Sequence, residues 1–351
     1  MAYTEVYVDP SIAADSGTGT IGDPYGDLEY AIEQTTFDTT NGTRLNVKAG
    51  TDEVLAAQLS TGAMSDTGTT PAWVPTASAP MVIQGYTSTA GDGGIGGISG
   101  GGSVSIINSG SRNGIRFIDM HLHNCGANPI VSVNNDCAAI RCELDGTTLD
   151  AFDADSNSYV SDCYIHDTGR YGIQINFGEI YRNFLQDDTT SSMTEAIRLL
   201  AVNTSIVSDN IILLGGLTLT GIGIRAATRS TICNNSIYHS GAGTGSGISI
   251  QGGGTCQYVA NNVISGFSGT GGKGIEYNAA TMDVFVEGGN AVYNCATAYS
   301  GSARNVHYSL GDNETLSAEP FTDAANGDFS PVDTGNVKEG SVPQVIGGGL
   351  V

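Results

Sequence analysis

The chain has 351 residues, 40% of them apolar, enough to bury a core and to exclude a generally disordered polymer. Its 36 acidic side chains face only 13 basic ones, a formal net charge of −23, which leaves no basic patch for duplex nucleic acid or an anionic membrane surface. Glycine, at 50 residues, is about twice its usual share of ~7% and follows no G-X-Y period, which excludes collagen and indicates many turns.

In chain order, Thr4–Val8 (TEVYV) alternates as a strand. DPYGDLEYAIEQ then predicts a short helix, with Asp23 as cap, Pro24 in the first turn and Leu28, Ala31 and Ile32 on one face. A helix at the start of a β stack covers an edge that would otherwise pair with other chains. RLNVKAG and Met81–Tyr86 (MVIQGY) predict strands, while VLAAQLS fits either element. Between them runs a long loop with three prolines and the only tryptophan, Trp73. Gly91–Gly102 is a glycine-rich loop whose Asp does not recur in register, as calcium-binding nonapeptide repeats would require.

From about residue 105 one phrase recurs: a short apolar strand, a turn, then Asn or Cys followed two places on by an apolar residue. It is seen in IVSDNIIL, STICNNSIYH and YVANNVIS. Aligning Cys142, Cys163, Asn183, Asn210, Asn235, Asn262 and Asn290 gives intervals of 21, 20, 27, 25, 27 and 28 residues. Met120 fits one coil earlier. A second column, Phe152, Ile173, Ile197, Ile224, Ile248 and Ile275, advances with the first. A period of 20–28 residues with two or three short strands predicts a parallel β-solenoid, all-β, of roughly nine to ten coils. The Asn residues are expected to form an interior ladder, each amide bonding the next coil, with the Cys residues as small buried occupants of the same slot.

The seven Cys residues form no CxxC, and no HxxxH spacing occurs, so no dedicated metal motif is expected. The N-terminus has no basic n-region or apolar h-region, and no apolar run reaches the ~18 residues that span a bilayer. The expectation is cytoplasmic synthesis with free thiols and no membrane insertion.

Outward columns follow from the same alignment. Three places after the ladder come His123, Asp145, His166 and Gln186; four places after come Asn124, Gly146, Asp167 and Asp187, with Asp188 beside it and Arg170 nearby. His166, Asp167, Arg170, Asp187 and Asp188 are the candidate catalytic residues, since together they offer an acid, a base and a cation site for which calcium is the candidate ion. Asp145, His123 and Trp73 are candidates for holding a glycan. The other reading of this face is a solvated polar surface, since Asp, His and Asn are ordinary turn residues. Asp150, Asp153 and Asp155 form a second acidic stretch with the same two readings. No GxSxG, P-loop or complete dinucleotide fingerprint is present, so no organic cofactor is expected.

The ladder phrases, together with HDTGRYGIQI, the opening VYVDPS…DPYGDLEYAI and the closing NGDFSPVDTG, resemble right-handed parallel β-helix proteins of the pectate-lyase-like superfamily over about 300 residues. The resemblance implies an N-terminal capping helix and first coils over 1–104, a β-helix core over 105–316 and a closing segment and tail over 317–351. It implies a glycan-directed outer face, but the GHG and RIK motifs that accompany paired aspartates in polygalacturonase-like hydrolases are absent. Two functions follow as expectations. One is a structural or adhesive virion protein of a phage, a capsid decoration or tail-associated β-helix made in the host cytoplasm, partnered by other virion proteins and cell-surface glycan and, by family expectation, a homotrimer. The other is an extracellular polysaccharide lyase or glycoside hydrolase acting on acidic polysaccharide.

Overall fold

The computed structural model describes residues 3–59, 75–108, 113–187, 193–200, 204–215, 220–227, 229–251, 257–278, 285–301, 307–309 and 312–332. The fold is all-β, a parallel β-solenoid in agreement with the expected right-handed β-helix, with a single α-helix among the described residues. It divides into two compact units, 1–168 and 169–351. No helix of the described residues is long and apolar enough to cross a membrane. The loop around Trp73, the position of Asp188 and the tail from residue 333 lie outside the described residues.

Each coil is built around one bend. In the second unit the residue before each ladder Asn is left-handed: Arg182, Asp209, Asn234, Asn261 and Gly289, with φ of 54°, 59°, 58°, 57° and 66°. Asn, Asp and Gly tolerate that conformation, so most of these bends form without strain. The bend turns the chain from a main-sheet strand into a lateral-sheet strand, as from Ser230–Cys233 into Ser236–His239. The buried Asn then ties the coils together. Asn210 donates its backbone N–H and side-chain amide to Asn235 Oδ1 at 3.1 and 3.0 Å, and Asn235 does the same to Asn262 at 3.1 and 3.0 Å. Asn183 joins the chain through Asn210, and Asn262 continues it through Asn290. Beyond the expected residues, Asn290 donates to Asn313, one coil further on. The aligned isoleucines Ile173, Ile197, Ile224, Ile248 and Ile275 stand opposite one another in the main sheet.

The first unit uses the same bend, at Asp119, Arg141 and Asp162, with φ of 54°, 52° and 57°. Its ladder slot holds Met120, Cys142 and Cys163, all buried, and the Cys142 N–H points at Cys163 Sγ at 3.4 Å. None of the described cysteines is in a disulfide. Burial pushes the thiols of Cys125 and Cys137 up to about 11, so they are poor nucleophiles at neutral pH.

Two sequence expectations change. The helix is Leu28–Gln34 and its cap is Asp27, whose carboxylate accepts from the Tyr30 N–H at 2.6 Å; Leu28, Ala31 and Ile32 are buried as expected. Asp23 and Pro24 are not helical because Tyr25 is bound into a bridge with Tyr7 and Asp9. The glycine-rich stretch Gly91–Gly102 is not only loop: Gly96–Ser99 is a buried strand of the lateral sheet, paired with Glu53–Val54 and Met120–Gly126.

In the second unit an antiparallel hairpin, Phe321–Asp323 with Asp328–Pro331, closes over the lateral sheet. Phe321, Ala324 and Phe329 pack on Leu213, Val263 and Ala291, with Phe184, Ile211, Tyr238 and Tyr293 alongside.

Candidate functional site

In the first unit the lateral strands Gly96–Ser99, Met120–Gly126, Glu143–Thr147 and Tyr164–His166 lie side by side in parallel register. Leu122, Leu144 and Ile165 stand opposite one another and are fully buried. Side chains alternate across a strand, so the residues on either side of that apolar row point outward. One outward column is Gly97, His121, Glu143 and Tyr164; the other is Ser99, His123, Asp145 and His166.

These columns carry three imidazoles and two carboxylates, and Asp52 and Asp167 reach in from outside them. His166 is clamped at both ring nitrogens: Nδ1 lies 3.0 Å from Asp167 Oδ2 and Nε2 lies 3.0 Å from Glu143 Oε1, with Asp145 Oδ2 at 3.6 Å. Its ring stacks on Tyr164 at 4.2 Å between centroids. Two rungs away, beyond the strand of Glu143 and Asp145, His121 and His123 stack at 4.2 Å and 12°. His121 Nε2 is 2.7 Å from Asp145 Oδ2, and His123 Nε2 is 3.0 Å from Asp52 Oδ2. The bond to Asp145 raises the His121 pKa above the ordinary histidine value; burial opposes it, and the charges of Asp145, Glu143 and Asp52 reinforce it.

The Asp52 contact depends on a glycine. A Cβ on Gly97 would stand 1.8 Å from Asp52 Oδ1, so the bare position on the neighbouring rung is what lets this carboxylate lie over the face and reach His123. Donor atoms of His121, His123 and Asp145 all fall within 4.8 Å of one another, and so do those of Glu143, Asp145 and His166; the two groups share Asp145.

Of the residues singled out in the sequence, His123, Asp145, His166 and Asp167 gather here. Arg170 and Asp187 belong to the second unit. The Arg170 guanidinium lies over the Tyr171 ring at 4.8 Å. Asp187 is buried and its carboxylate is engaged by backbone, accepting from the Met193 N–H at 3.1 Å and the Gly215 N–H at 3.5 Å, as a turn-forming Asp does. The other members of the cluster are His121, Glu143 and Asp52. His121 and Glu143 stand one place after their ladder residues, and a two-residue alternation puts that column on the same face as the third place. That signal was in the sequence; the reach of Asp52 to His123, 71 residues away, was not.

Asp150 is fully buried, and Asp153 accepts from the Ser132 hydroxyl at 3.5 Å. In the glycine-rich turn the Asp92 carboxylate caps the N–H groups of Thr87, Ser88, Thr89 and Gly94, which holds its pKa far below the usual carboxylate range.

No protein-family model and no curated protein matches the chain. Among solved structures it is similar to a GH136 lacto-N-biosidase from Eubacterium ramulus, at 10% identity over 86% of this chain and 68% of that one, with a TM-score of 0.41. At that distance the likeness does not bear on what this chain acts on.

Proposed function

We propose that the first unit hydrolyses glycosidic bonds on the outward face of its lateral sheet, with His166 as general base. The observation that carries this is the clamp on His166. Asp167 at Nδ1 fixes the tautomer and the ring plane, which directs Nε2 and its lone pair to the side where Glu143 stands. A water that enters between Nε2 and the sugar in place of the Glu143 carboxylate would lose its proton to His166, and the departing sugar oxygen takes its proton from solvent, since Glu143, 3.0 Å from Nε2, stands too close to the base to serve as the acid on the far side of the bond. Tyr164, stacked on His166, borders the same face with an aromatic ring on which a sugar can lie.

The warrant for a glycan as substrate is analogy with sugar-cleaving β-helices, which work from the outer face of one sheet; the warrant for the chemistry is the geometry at His166. Charge narrows the substrate class. The cluster holds Asp52, Glu143, Asp145 and Asp167, and the chain carries −23, so a uronate polymer is repelled and a neutral glycan is favoured. This also favours hydrolysis over β-elimination, which needs a uronate carboxylate beside the broken bond.

The test is a panel of neutral and acidic polysaccharides, followed by reducing ends and by absorbance of unsaturated products. New reducing ends from a neutral glycan without unsaturated products are expected. His166→Gln should lower kcat by roughly 10²–10⁴-fold with an unchanged melting curve. Unsaturated products, or equal turnover in the variant, would overturn the assignment.

A further inference from the structure

We infer that His121, His123 and Asp145 form a binding site for a divalent transition-metal ion of the zinc class. The site occupies the half of the cluster that the hydrolytic chemistry at His166 does not use, and it stands whether or not that chemistry is correct.

Three observations converge. The first is the donor set. His121 and His123 are two places apart on one strand, so both imidazoles leave the same face and stand next to each other, their rings stacked at 4.2 Å between centroids. Asp145, directly opposite His123 on the next strand, adds a carboxylate oxygen. Two imidazoles and one carboxylate are the protein ligands of a metal site that leaves positions open for water or substrate. The second is distance. The three donors already lie within 4.8 Å of one another, and His121 Nε2 is 2.7 Å from Asp145 Oδ2. Ligands on one tetrahedral ion at ~2.1 Å stand about 3.4 Å apart, so the three donors are close to the spacing one ion requires, and binding turns the two rings out of their stack to aim at it.

The third is the support behind the ligands. Asp52 sits on His123 Nε2 at 3.0 Å, which leaves Nδ1 as the nitrogen with a free lone pair. A carboxylate on the far nitrogen of a ligating histidine orients the ring and raises its basicity. Gly97 makes room for that carboxylate, since a Cβ there would collide with it. Leu122 and Leu144, fully buried between the outward residues, hold the two strands at fixed spacing beneath the ligands.

The ligand chemistry also selects among ions. Calcium takes six to eight oxygens and has little affinity for imidazole nitrogen. The site therefore favours zinc or cobalt over the calcium that acidic columns alone would suggest.

The experiment uses untagged full-length protein stripped with a chelator, then titrated with Co²⁺ while its visible ligand-field absorption is recorded. One equivalent is expected to bind with bands of nitrogen–oxygen coordination, to be displaced by Zn²⁺ and to be unaffected by millimolar Ca²⁺. His121→Gln and His123→Gln should each abolish the bands. Asp52→Asn should weaken binding by roughly 10–100-fold. His166→Gln should leave the titration unchanged while removing glycan cleavage, so failure of one reading is separable from failure of the other. Absence of stoichiometric binding, displacement by Ca²⁺, or binding that survives both histidine variants would overturn the site. Bands lost in His166→Gln but kept in His121→Gln would move the ion to Glu143, Asp145 and His166, which also overturns it.

Discussion

Glu53 shows how a single buried carboxyl ties stability to pH. It lies at the N-terminus of the helix, where its carboxylate accepts from the Leu28 N–H at 3.3 Å, close to Asp27 and Glu29. Burial first, then the Asp27 and Glu29 charges, push its pKa from 4.5 up to about 7, against the lowering effect of the Leu28 bond. The folded chain therefore binds more protons than the unfolded chain between those two values. The stability that protonated Glu53 contributes is complete below pH 4.5 and is lost as pH rises through 7. Glu53→Gln removes the charge and keeps an oxygen for Leu28. Urea denaturation should find the variant more stable than the parent at pH 8, by on the order of 1 kcal/mol once solvent screening is allowed for, with little difference at pH 4.5. Parallel pH profiles for the two proteins would show that the carboxyl is already ionised in the fold. The sequence alone does not separate two caps for the same helix, for a local reason. Asp23 and Asp27 both precede an apolar face, and only the bridge of Tyr25 to the first strand decides that the helix starts after Gly26.

At the scale of elements, the ladder was legible because its chemistry demands one side chain. A buried amide must both donate and accept along the stack, and Asn at a fixed bend does this with the shortest side chain. Asn235 Oδ1 takes two hydrogens from Asn210, and its Nδ2 donates to the carbonyls of Val207 and Cys233 as well as to Asn262 Oδ1. Asn235→Ala leaves these groups buried without partners, at about 1–3 kcal/mol for each that finds no water, so a loss of roughly 3–5 kcal/mol is expected in equilibrium unfolding. A loss below about 1 kcal/mol would mean that the carbonyls, not the amides, hold the coils. The bends themselves were less legible. Asp209, Asn234 and Asn261 announce a left-handed residue, whereas Arg141 and Arg182 occupy it without any local preference and are placed there by the neighbouring coils. The candidate site was half legible for a related reason. His123, Asp145 and His166 emerge from the column three places after the ladder, while His121 and Glu143 needed the two-residue alternation of the strand to be followed back by one step.

Across the whole molecule, the same outward columns are handled in opposite ways by the two units. In the first they carry imidazoles and carboxylates and are only partly covered: the side chains of Glu143 and Asp52 remain 39% and 48% exposed. In the second they carry Phe184, Ile211, Tyr238 and Tyr293 and lie under the hairpin of Phe321 and Phe329, each 1% exposed. An apolar outer column needs a cover, because a solenoid face of that kind left in water invites association with other chains. A polar column needs none, which leaves it open to a ligand. The contrast predicts that structure and chemistry separate by mutation. Phe329→Ala removes the ring that packs edge-on against both Phe321 and Phe184. It should cost about 3 kcal/mol in unfolding, the usual penalty for emptying a buried phenylalanine site, and increase binding of a hydrophobic dye. Below its lowered melting temperature it should cleave glycan and take up Co²⁺ as the parent does. Loss of either property in the folded variant would mean that the hairpin serves the site as well as the fold.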